Sequence, residues 1–338
     1  MPTKPNKVTL KDIADRVGVS ISAVSLALKD HPRIAEDTKR RVQLAVDELG
    51  YVSNIAGRAL RGKQVGAIAL IVPNTSSHVL THSYFLHVLT GINELAAAHD
   101  LQVVLSTNAD ELHGEVAYDR VLRSGLVDGA VVTSAAVGDP GIAQLVRGGM
   151  PIVLLGRYPE LPEALSVAAD DFGAAIEATE HLAVFHGRRR LAHICGPLGH
   201  QSAIDRRDGF LAACERNGIE PVVIEGDYSE QSGAAAGPEL LERRIDGVFA
   251  ANDEMAFGVM GALAAAGSRV PKDVLLVGYD DFGLSRVTSP SISTIHVPAV
   301  EMARSAAALL LKPLGITPTI QTPPVPGLTF IPRQSCGC

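Results

Sequence analysis

The feature that most constrains this chain is a regular alternation of short apolar runs with amphipathic segments from residue 64 to residue 338. The runs are continuously apolar, which is typical of strands buried on both faces of a parallel sheet. The segments between them carry apolar residues at helical spacing. Strands are predicted at residues 65–71, 102–106, 129–133, 152–155, 166–168, 191–195, 222–225, 247–250 and 274–279, and helices at 86–99, 115–124, 173–185, 203–217, 232–242, 253–266 and 300–310.

This pattern predicts an α/β core with parallel, doubly wound sheets. Residues 64–338 are more than one such sheet needs, so we expect two lobes with a cleft between them. Ligands bind in clefts at the carboxyl ends of parallel strands. No phosphate-binding loop, dinucleotide fingerprint or Gly-x-Ser-x-Gly motif is present. Asp170-Asp171 and Asp280-Asp281 are carboxylate pairs, but adjacent side chains point apart, and we therefore predict no enzymatic activity.

The first sixty residues carry a different pattern, of three short helices. Thr9 is a predicted N-cap for a first helix, and Gly18 ends it. Ser20 can cap a second helix over residues 21–28, and a third is predicted over 36–49. The spacing helix, Gly-Val-Ser, helix is typical of a helix-turn-helix. An all-α bundle without a DNA role is the alternative.

In a helix-turn-helix the second helix enters the major groove, and its first residues meet base edges. Residues 1–63 contain twelve Lys and Arg against seven Asp and Glu, whereas the rest contains eighteen against thirty. A basic head on an acidic body suits a DNA reader. The predicted DNA contacts are Ile21, Ser22 and Leu26 to base edges, and Thr9, Ser20, Ser25 and Asn54 to phosphates.

The segment VTLKDIADRVGVSISAVSLALKDHPRIAEDTKRRVQLAVDELGYVSN resembles the head of the LacI/GalR family of bacterial regulators. Many members have a base-reading Arg or His where this chain has Leu26, so the family's usual operator sequence is not expected. The positions that carry the resemblance are Thr9, Asp12, Ala14, Gly18, Val19, Ser20, Val24, Ser25, Leu49, Gly50 and Tyr51.

The resemblance implies a hinge over residues 54–63 that becomes helical on DNA and wedges a leucine into the minor groove. Leu60 matches that leucine, and an inserted apolar side chain kinks the duplex. Gly57 stands where alanine is usual and lowers helicity by about 1 kcal/mol relative to alanine. A plain flexible linker is the alternative. The predicted domains are 1–53 for the DNA head, 54–63 for the hinge and 64–338 for the core.

The family resemblance continues through the core, which is similar to periplasmic sugar-binding proteins. By that resemblance a sugar or related metabolite lies between the lobes, held by Arg206, Asn252 and Asp280. Arg157, Tyr84 and Phe85 are further candidates for the pocket. An interdomain salt bridge between Arg206 and Asp280, and a helix N-cap at Asn252 or Asp253, are the structural alternatives. The matching segments begin at His186, Arg206, Ala251, Val270, Val277 and Ile331.

Residues 73–84 form a segment that is about five residues longer than is usual in the family. We interpret it as a polar surface loop, although His78 and His82 could share a helical face and hold a metal. The four cysteines show no metal-ligand spacing. We interpret Cys336 and Cys338 as a reduced tail, and we predict no metal and no cofactor.

The resemblance implies a repressor that binds a pseudo-palindromic operator as a homodimer and responds to its effector allosterically. No heptad-repeat helix follows Arg333, so a tetramer is not expected. The first residues lack the apolar core of a signal peptide, and no membrane span is apparent, so we expect a cytoplasmic protein. The rival interpretations are a periplasmic-type binding protein and an α/β enzyme with a helical accessory head.

Overall fold

The computed structural model describes residues 8–28, 31–51, 64–108, 116–319 and 323–338. Contacts divide the chain into two compact units, Met1–Lys63 and Gln64–Cys338. The predicted hinge over residues 54–63, with Asn54, Gly57 and Leu60, lies outside the described residues. Within the part of the chain that the structure describes, no helix has both the length and the apolar character needed to cross a membrane.

The first unit contains helices α1 (Leu10–Val17), α2 (Ile21–Ala27) and α3 (Glu36–Leu49). Thr9 caps α1 through a capping box with Asp12, and Ser20 caps α2 by accepting a hydrogen bond from the Ala23 amide. Gly18 ends α1 with φ of 74°, a left-handed conformation that glycine adopts without steric cost. The tight turn from Gly18 to Ser20 therefore has the predicted helix-turn-helix geometry.

Small and branched apolar residues fill the core of this unit. Each of the three helices contributes buried apolar residues to this core, at the positions that the helical spacing predicts. Arg41 of α3 also donates to the Val17 carbonyl at 2.5 Å, which satisfies an end of α1. The buried residues are Ile13, Ala14, Val17, Val24, Ala27, Val42 and Ala45.

The first lobe of the second unit is built on a five-stranded parallel sheet. Its strands lie in the order β2-β1-β3-β4-β5. Strands β1 and β3 lie inside the sheet, and their apolar residues are fully buried, as the continuous apolar runs predict. The elements are β1 (Ala67–Thr75), α4 (Ser76–Thr81), α5 (Ser83–Ala98), β2 (Gln102–Asn108), α6 (Val116–Ser124), β3 (Gly129–Thr133), α7 (Pro140–Arg147), β4 (Ile152–Leu155) and β5 (Ser166–Val167).

The second lobe contains a six-stranded sheet in the order β11-β10-β9-β8-β6-β7. All its pairs are parallel except β10 with β11. The strands are β6 (Leu191–Cys195), β7 (Val222–Glu225), β8 (Gly247–Ala250), β9 (Leu275–Asp280), β10 (Ser293–His296) and β11 (Thr329–Ile331), and the helices are α8 (Asp171–Glu180), α9 (Gln201–Arg216), α10 (Glu230–Ala235), α11 (Gly237–Glu242), α12 (Asp253–Ala265) and α13 (Leu284–Val287).

The chain passes from the first lobe to the second after β5 and returns to the first in α14 (Ala299–Leu311). Helix α14 packs against α5 and against strands β3 to β5. It buries a stripe of small and large apolar residues there, from Ala299 to Leu311. The chain then ends in the second lobe with β11 and a 3₁₀ turn at Gln334–Cys336. The predicted fold class, a helical head and a two-lobed core with parallel sheets, is confirmed.

Several elements differ from the prediction for identifiable reasons. Strand β10 was not predicted because its buried Ser293 and Thr294 interrupt any apolar run. The predicted helix over residues 232–242 is two helices, with Pro238 at the start of the second. The segment interpreted as a polar loop contains α4, so that interpretation of residues 73–84 is wrong. The helix predicted over residues 173–185 changes from α to π geometry at His181–Phe185.

Candidate functional site

The amino-terminal end of α2 is exposed. Ile21 is 48% exposed although it is a large apolar residue, and Ser22 beside it is also exposed. Ser25 and Leu26, one turn later, are half-buried. The first turn of α2 is therefore the part that a DNA groove could reach most readily, and its chemistry is a hydroxyl beside an aliphatic surface.

The two capping hydroxyls differ in what they can still offer a phosphate. Ser20 accepts a hydrogen bond from the Ala23 amide at 3.1 Å, which leaves its own proton free to donate. Thr9 instead donates to the Asp12 carboxylate at 2.7 Å, so a phosphate would compete with that carboxylate. The hydrogen bonds from Thr9 lower the pKa of Asp12, which keeps this competitor ionised.

A large pocket lies between the two lobes, at the carboxyl ends of strands from both sheets. It encloses about 1150 Å³ of space including its mouth. In open parallel sheets this edge is where ligands bind, because the strand ends and helix starts leave a crevice there. The structure brings all six predicted effector residues into the pocket wall, namely Tyr84, Phe85, Arg157, Arg206, Asn252 and Asp280.

Arg206 is held in place by three neighbours in the second lobe. Its Nε donates to Asp171 at 2.8 Å, its Nη1 donates to the Ala251 carbonyl at 2.7 Å, and its guanidinium carbon lies 3.6 Å from the centre of the Tyr279 ring. The Tyr279 hydroxyl donates to the same Asp171 oxygen at 2.7 Å. Arg206 is thus a preorganised cation with Asp171 as its counter-ion.

Asp280 lies at the end of β9 with φ of 111°, outside the usual range for residues with side chains. Its carboxyl group makes no hydrogen bond with any described residue, and it lines the pocket. Burial raises the pKa of Asp280 well above its usual range, with the neighbouring acids adding to the shift and Arg206 opposing it. The ion pair of Arg206 is with Asp171, so the alternative of an Arg206–Asp280 bridge is wrong.

Asn252 is the N-cap of α12. Its Oδ1 accepts from the Met255 amide at 2.8 Å, and its Nδ2 donates to the Tyr228 carbonyl at 2.8 Å. The N-cap alternative therefore describes this side chain, although Asn252 also lines the pocket. A ligand that meets the Asn252 amide has to share these hydrogen-bonding atoms.

The two adjacent acids Asp280 and Asp281 point apart. Asp281 accepts hydrogen bonds from Ser285 at 2.8 Å and from Arg333 at 2.7 Å, away from the pocket. Its backbone amide donates to Asp253 at 2.9 Å. Asp170 likewise caps α8 while Asp171 pairs with Arg206. Neither carboxylate pair is arranged for a shared catalytic role.

Apart from Arg157, the wall that the first lobe contributes is made mainly of aromatic and neutral polar side chains. The rings of Tyr84 and Phe85 lie 5.3 Å apart, and the Tyr84 hydroxyl is 3.4 Å from that of Thr133. Burial raises the pKa of Tyr84 to about 12. Helix α4 adds His78, and His82 follows its last residue; the two imidazole rings lie 4.2 Å apart. Burial lowers the pKa of His78 to about 4, so that this imidazole is neutral at neutral pH.

Arg157 joins the two lobes across the pocket mouth. It follows β4 of the first lobe and makes a two-pronged ion pair with Asp205 of α9 in the second lobe, with its Nε 2.7 Å from the carboxylate. Ser83 donates to Glu254 at 3.1 Å, and His87 stacks on Phe282 with ring centres 4.3 Å apart, both also between lobes. These three contacts therefore bridge the two lobes around the pocket.

Sequence reasoning missed several residues that the structure places in the pocket wall, among them Asp171, Tyr158, His200 and Tyr228. Asp171 had a usable signal, since it opens an amphipathic helix after a strand. Tyr228 had none, because its position depends on a φ of 70° and on Gly196, whose Cβ would lie 2.1 Å from its ring.

Comparisons with known proteins agree with both units. Residues 9–54 match the family model described as bacterial regulatory proteins, lacI family, and residues 179–336 match a periplasmic binding protein-like domain. The chain is 32% identical to the HTH-type transcriptional regulator CelR of Thermobifida fusca over 310 residues, which covers 90% of this chain and 91% of CelR.

Two solved structures are similar over nearly the whole chain. The Lac repressor dimer bound to operator and the anti-inducer ONPF has a TM-score of 0.84 at 25% identity, covering 98% of this chain and 99% of that one. The transcriptional regulator CelR in complex with cellobiose has a TM-score of 0.72 at 29% identity, covering 97% and 99%. With a helix-turn-helix, a two-lobed core and relatives that are regulators, this chain belongs to the LacI family of bacterial transcription regulators.

Proposed function

We propose that this protein is a transcription repressor whose affinity for operator DNA is set by a neutral, hydroxyl-rich small molecule, a sugar or close relative, bound between the lobes. The observation that carries the proposal is the charge balance of the pocket. Asp171 neutralises Arg206, burial favours the uncharged form of Asp280, and His78 is neutral. Such a pocket favours many hydrogen bonds over the binding of a net charge.

The polar groups and aromatic rings of the pocket are complementary to a sugar. Arg206 and Asp280 offer donors and an acceptor to neighbouring hydroxyls, and Tyr84 and Phe85 offer an apolar surface for a ring's C–H face. Arg157 and Asn252 complete the proposed contacts. The similar regulator CelR is known in complex with the sugar cellobiose, which supports the same ligand class here.

The DNA contacts in this proposal are those of the helix-turn-helix and the hinge. Ile21, Ser22 and Leu26 meet base edges, Thr9, Ser20, Ser25 and Asn54 meet phosphates, and Leu60 wedges the minor groove. The protein acts as a homodimer on a pseudo-palindromic operator. The similar Lac repressor structure, a dimer bound to its operator, supports this arrangement. It works in the cytoplasm, where its operator is accessible.

The first experiment selects bound fragments of the source genome with the full-length protein. Ile21→Ala and Leu60→Ala test the proposed contacts, and Leu44→Ala is the matched control, since Leu44 is 56% exposed on α3. We expect an enriched inverted repeat, weakened by roughly tenfold or more in the two variants because each loses apolar contact with DNA, and unchanged in the control. Absence of an enriched repeat, or equal loss in the control, would contradict the proposal.

The second experiment screens neutral mono- and disaccharides, cellobiose included, for thermal stabilisation of the protein. A binding protein returns its ligand unchanged, so chromatography of the sugar after incubation separates this proposal from an enzyme. We expect one sugar class to stabilise the protein and to be recovered intact. Conversion of the sugar, or stabilisation only by charged ligands, would contradict the proposal.

A further inference from the structure

A cluster of two histidines and two cysteines lies in the second lobe, among residues that do not line the pocket between the lobes. The Nε2 atoms of His181 and His186 lie 3.2 Å apart, and the sulfurs of Cys336 and Cys338 lie 3.0 Å apart. The Cys338 sulfur is 3.4 Å from the His181 Nε2 and 3.3 Å from the His186 Nε2. All four atoms lie within 4.8 Å of one another.

The three distances of 3.2 to 3.4 Å that involve His181, His186 and Cys338 are close to the edges of a tetrahedral ligand set, and the sulfur–sulfur distance of 3.0 Å is shorter than such an edge. With zinc–sulfur bonds near 2.3 Å and zinc–nitrogen bonds near 2.0 Å, the edges of the tetrahedron are roughly 3.3 to 3.8 Å. Two thiolates also balance the charge of a divalent ion, and two imidazoles with two thiolates are a preferred set for zinc. We propose that His181, His186, Cys336 and Cys338 bind one zinc-class divalent cation.

A π turn places the two histidines side by side. Residues five apart in an α-helix diverge by about 140° around its axis. At the end of α8 the helix widens, and the His186 amide donates to the His181 carbonyl at 3.2 Å, five residues back. This wider turn brings both imidazoles to one face, and such turns are frequent at functional sites. Phe330 packs against the His181 ring at 4.4 Å.

The cysteine segment is fixed to the sheet. The Ser335 hydroxyl donates to the Leu276 carbonyl at 2.6 Å, and the Cys336 amide donates to Ser293 at 3.2 Å. Gly337 then adopts φ of 84°, which turns the chain so that Cys338 lies beside Cys336. The interpretation of Cys336 and Cys338 as a reduced tail therefore omits the histidines that the fold places beside them, about 150 residues earlier in the sequence.

The site differs from the pocket in both place and chemistry. Helix α8 begins at Asp171, the partner of Arg206 in the pocket, and its far end leads into His181. A bound cation would join that end of the helix to the chain after β11. The metal site goes beyond the proposed function, since it needs neither sugar nor DNA.

The test uses full-length protein without a histidine tag, kept reduced, stripped of metal and titrated with Co²⁺ and then Zn²⁺. We expect one equivalent of Co²⁺ to give sulfur-to-cobalt charge-transfer bands and the visible bands of tetrahedral cobalt, both displaced by Zn²⁺. Bands of six-coordinate cobalt alone, or none, would overturn the proposal, as would a protein that yields a Cys336–Cys338 disulfide under these conditions.

Variants show whether these four residues are the ligands. Cys338→Ser and His186→Gln are each expected to weaken zinc binding at least tenfold in competition with a chromogenic chelator. Cys214→Ala is the matched control, since Cys214 is a buried free cysteine outside the cluster. Zinc is expected to raise the melting temperature of the wild type and the control but not of Cys338→Ser, whose folding is checked by circular dichroism. Equal affinity in all variants would overturn the assignment.

Discussion

The two walls of the pocket differ in what they contribute. The second lobe supplies the ion pair of Asp171 and Arg206, which neighbouring residues of that lobe position, and the buried carboxyl group of Asp280. The first lobe supplies rings and neutral polar groups, such as Tyr84 and His78, and its Arg157 reaches across the mouth. The ion pair of the charged wall is thus complete within the second lobe. The aromatic wall can contact a ligand held by that ion pair only when the two lobes lie against each other.

Because of this difference, we expect the second lobe to orient the ligand and the first lobe to cover it. Fixed charges can select and orient hydroxyls without moving, because their hydrogen bonds already hold them in place. A wall of rings adds apolar contact once the ligand is covered. A ligand that touches both walls favours the bridged arrangement of the lobes, and this differential contact is what can shift an equilibrium between two arrangements.

The largest effect is expected from removing the cation of the second lobe. Arg206→Ala leaves Asp171 buried without its counter-ion, which typically costs about 3–5 kcal/mol of stability. Sugar binding should weaken by about a hundredfold or more, because the guanidinium donors are lost. Calorimetric titration and thermal unfolding measure the two effects.

Arg207→Ala is the matched control for this change. Arg207 is the next residue in α9, and it pairs with the partly exposed Asp208 rather than with a pocket group. An exposed pair of this kind contributes about 0–1 kcal/mol. If Arg207→Ala weakened sugar binding as much as Arg206→Ala, the charged wall would not be specific to Arg206.

A smaller effect is expected from the bridge between the lobes. Arg157→Ala removes both hydrogen bonds to Asp205, which is buried, while Arg157 itself is about half exposed. We expect sugar affinity to fall about three- to tenfold, because solvent screening limits the worth of the pair. Arg269→Ala, which breaks an exposed pair with Asp273, should leave affinity unchanged. An unchanged affinity for Arg157→Ala would show that the bridge does not favour closure.

The aromatic wall can be divided into hydroxyl and ring by a pair of variants. Among the described residues, the Tyr84 hydroxyl makes one long contact, of 3.4 Å with the Thr133 hydroxyl. Tyr84→Phe should therefore change sugar affinity by less than about threefold, whereas Tyr84→Ala should lower it by about tenfold through lost packing. A larger loss for Tyr84→Phe than for Tyr84→Ala would mean that the first lobe also acts by directed hydrogen bonds.

The last prediction concerns stability in acid rather than affinity for sugar. The pKa of His78 is about 4 in the fold against 6.5 when unfolded, because burial disfavours the charged form. The unfolded chain therefore takes up a proton first, and the folded state loses stability as the pH falls from 6.5 towards 4. His78→Gln should make this acid dependence shallower, by at most about tenfold in the unfolding constant per pH unit. Equal slopes for both proteins in urea titrations would contradict it.

Much of this arrangement could be predicted from sequence because it follows local rules. The capping residues Thr9 and Ser20 and the turn at Gly18 define the helix-turn-helix, and continuous apolar runs define the inner strands. The family resemblance predicted that Arg206, Asn252 and Asp280 line one pocket. None of these steps required knowledge of contacts between distant parts of the chain.

The rest depends on long-range geometry. Arg206 pairs with Asp171 rather than with Asp280 because of the way α8 packs against α9. Gly209 of α9 allows the backbone at Phe172 of α8 to approach closely. Strand β10 is held by polar residues such as Thr294, which donates to Asp253 at 2.7 Å, and polar strands leave no apolar run to detect. The cluster of His181, His186, Cys336 and Cys338 forms because a π turn aligns the two histidines and because β11, far along the chain, brings the two cysteines beside them.

The central claim is that one ligand in this pocket controls binding of DNA by the other unit. The most direct test measures operator affinity with and without saturating sugar, and sugar affinity with and without saturating operator, on the same full-length protein. Linkage requires both affinities to change by the same factor, which we expect to be about 5- to 150-fold. Equal operator affinity with and without a sugar that binds tightly in the pocket would contradict the claim.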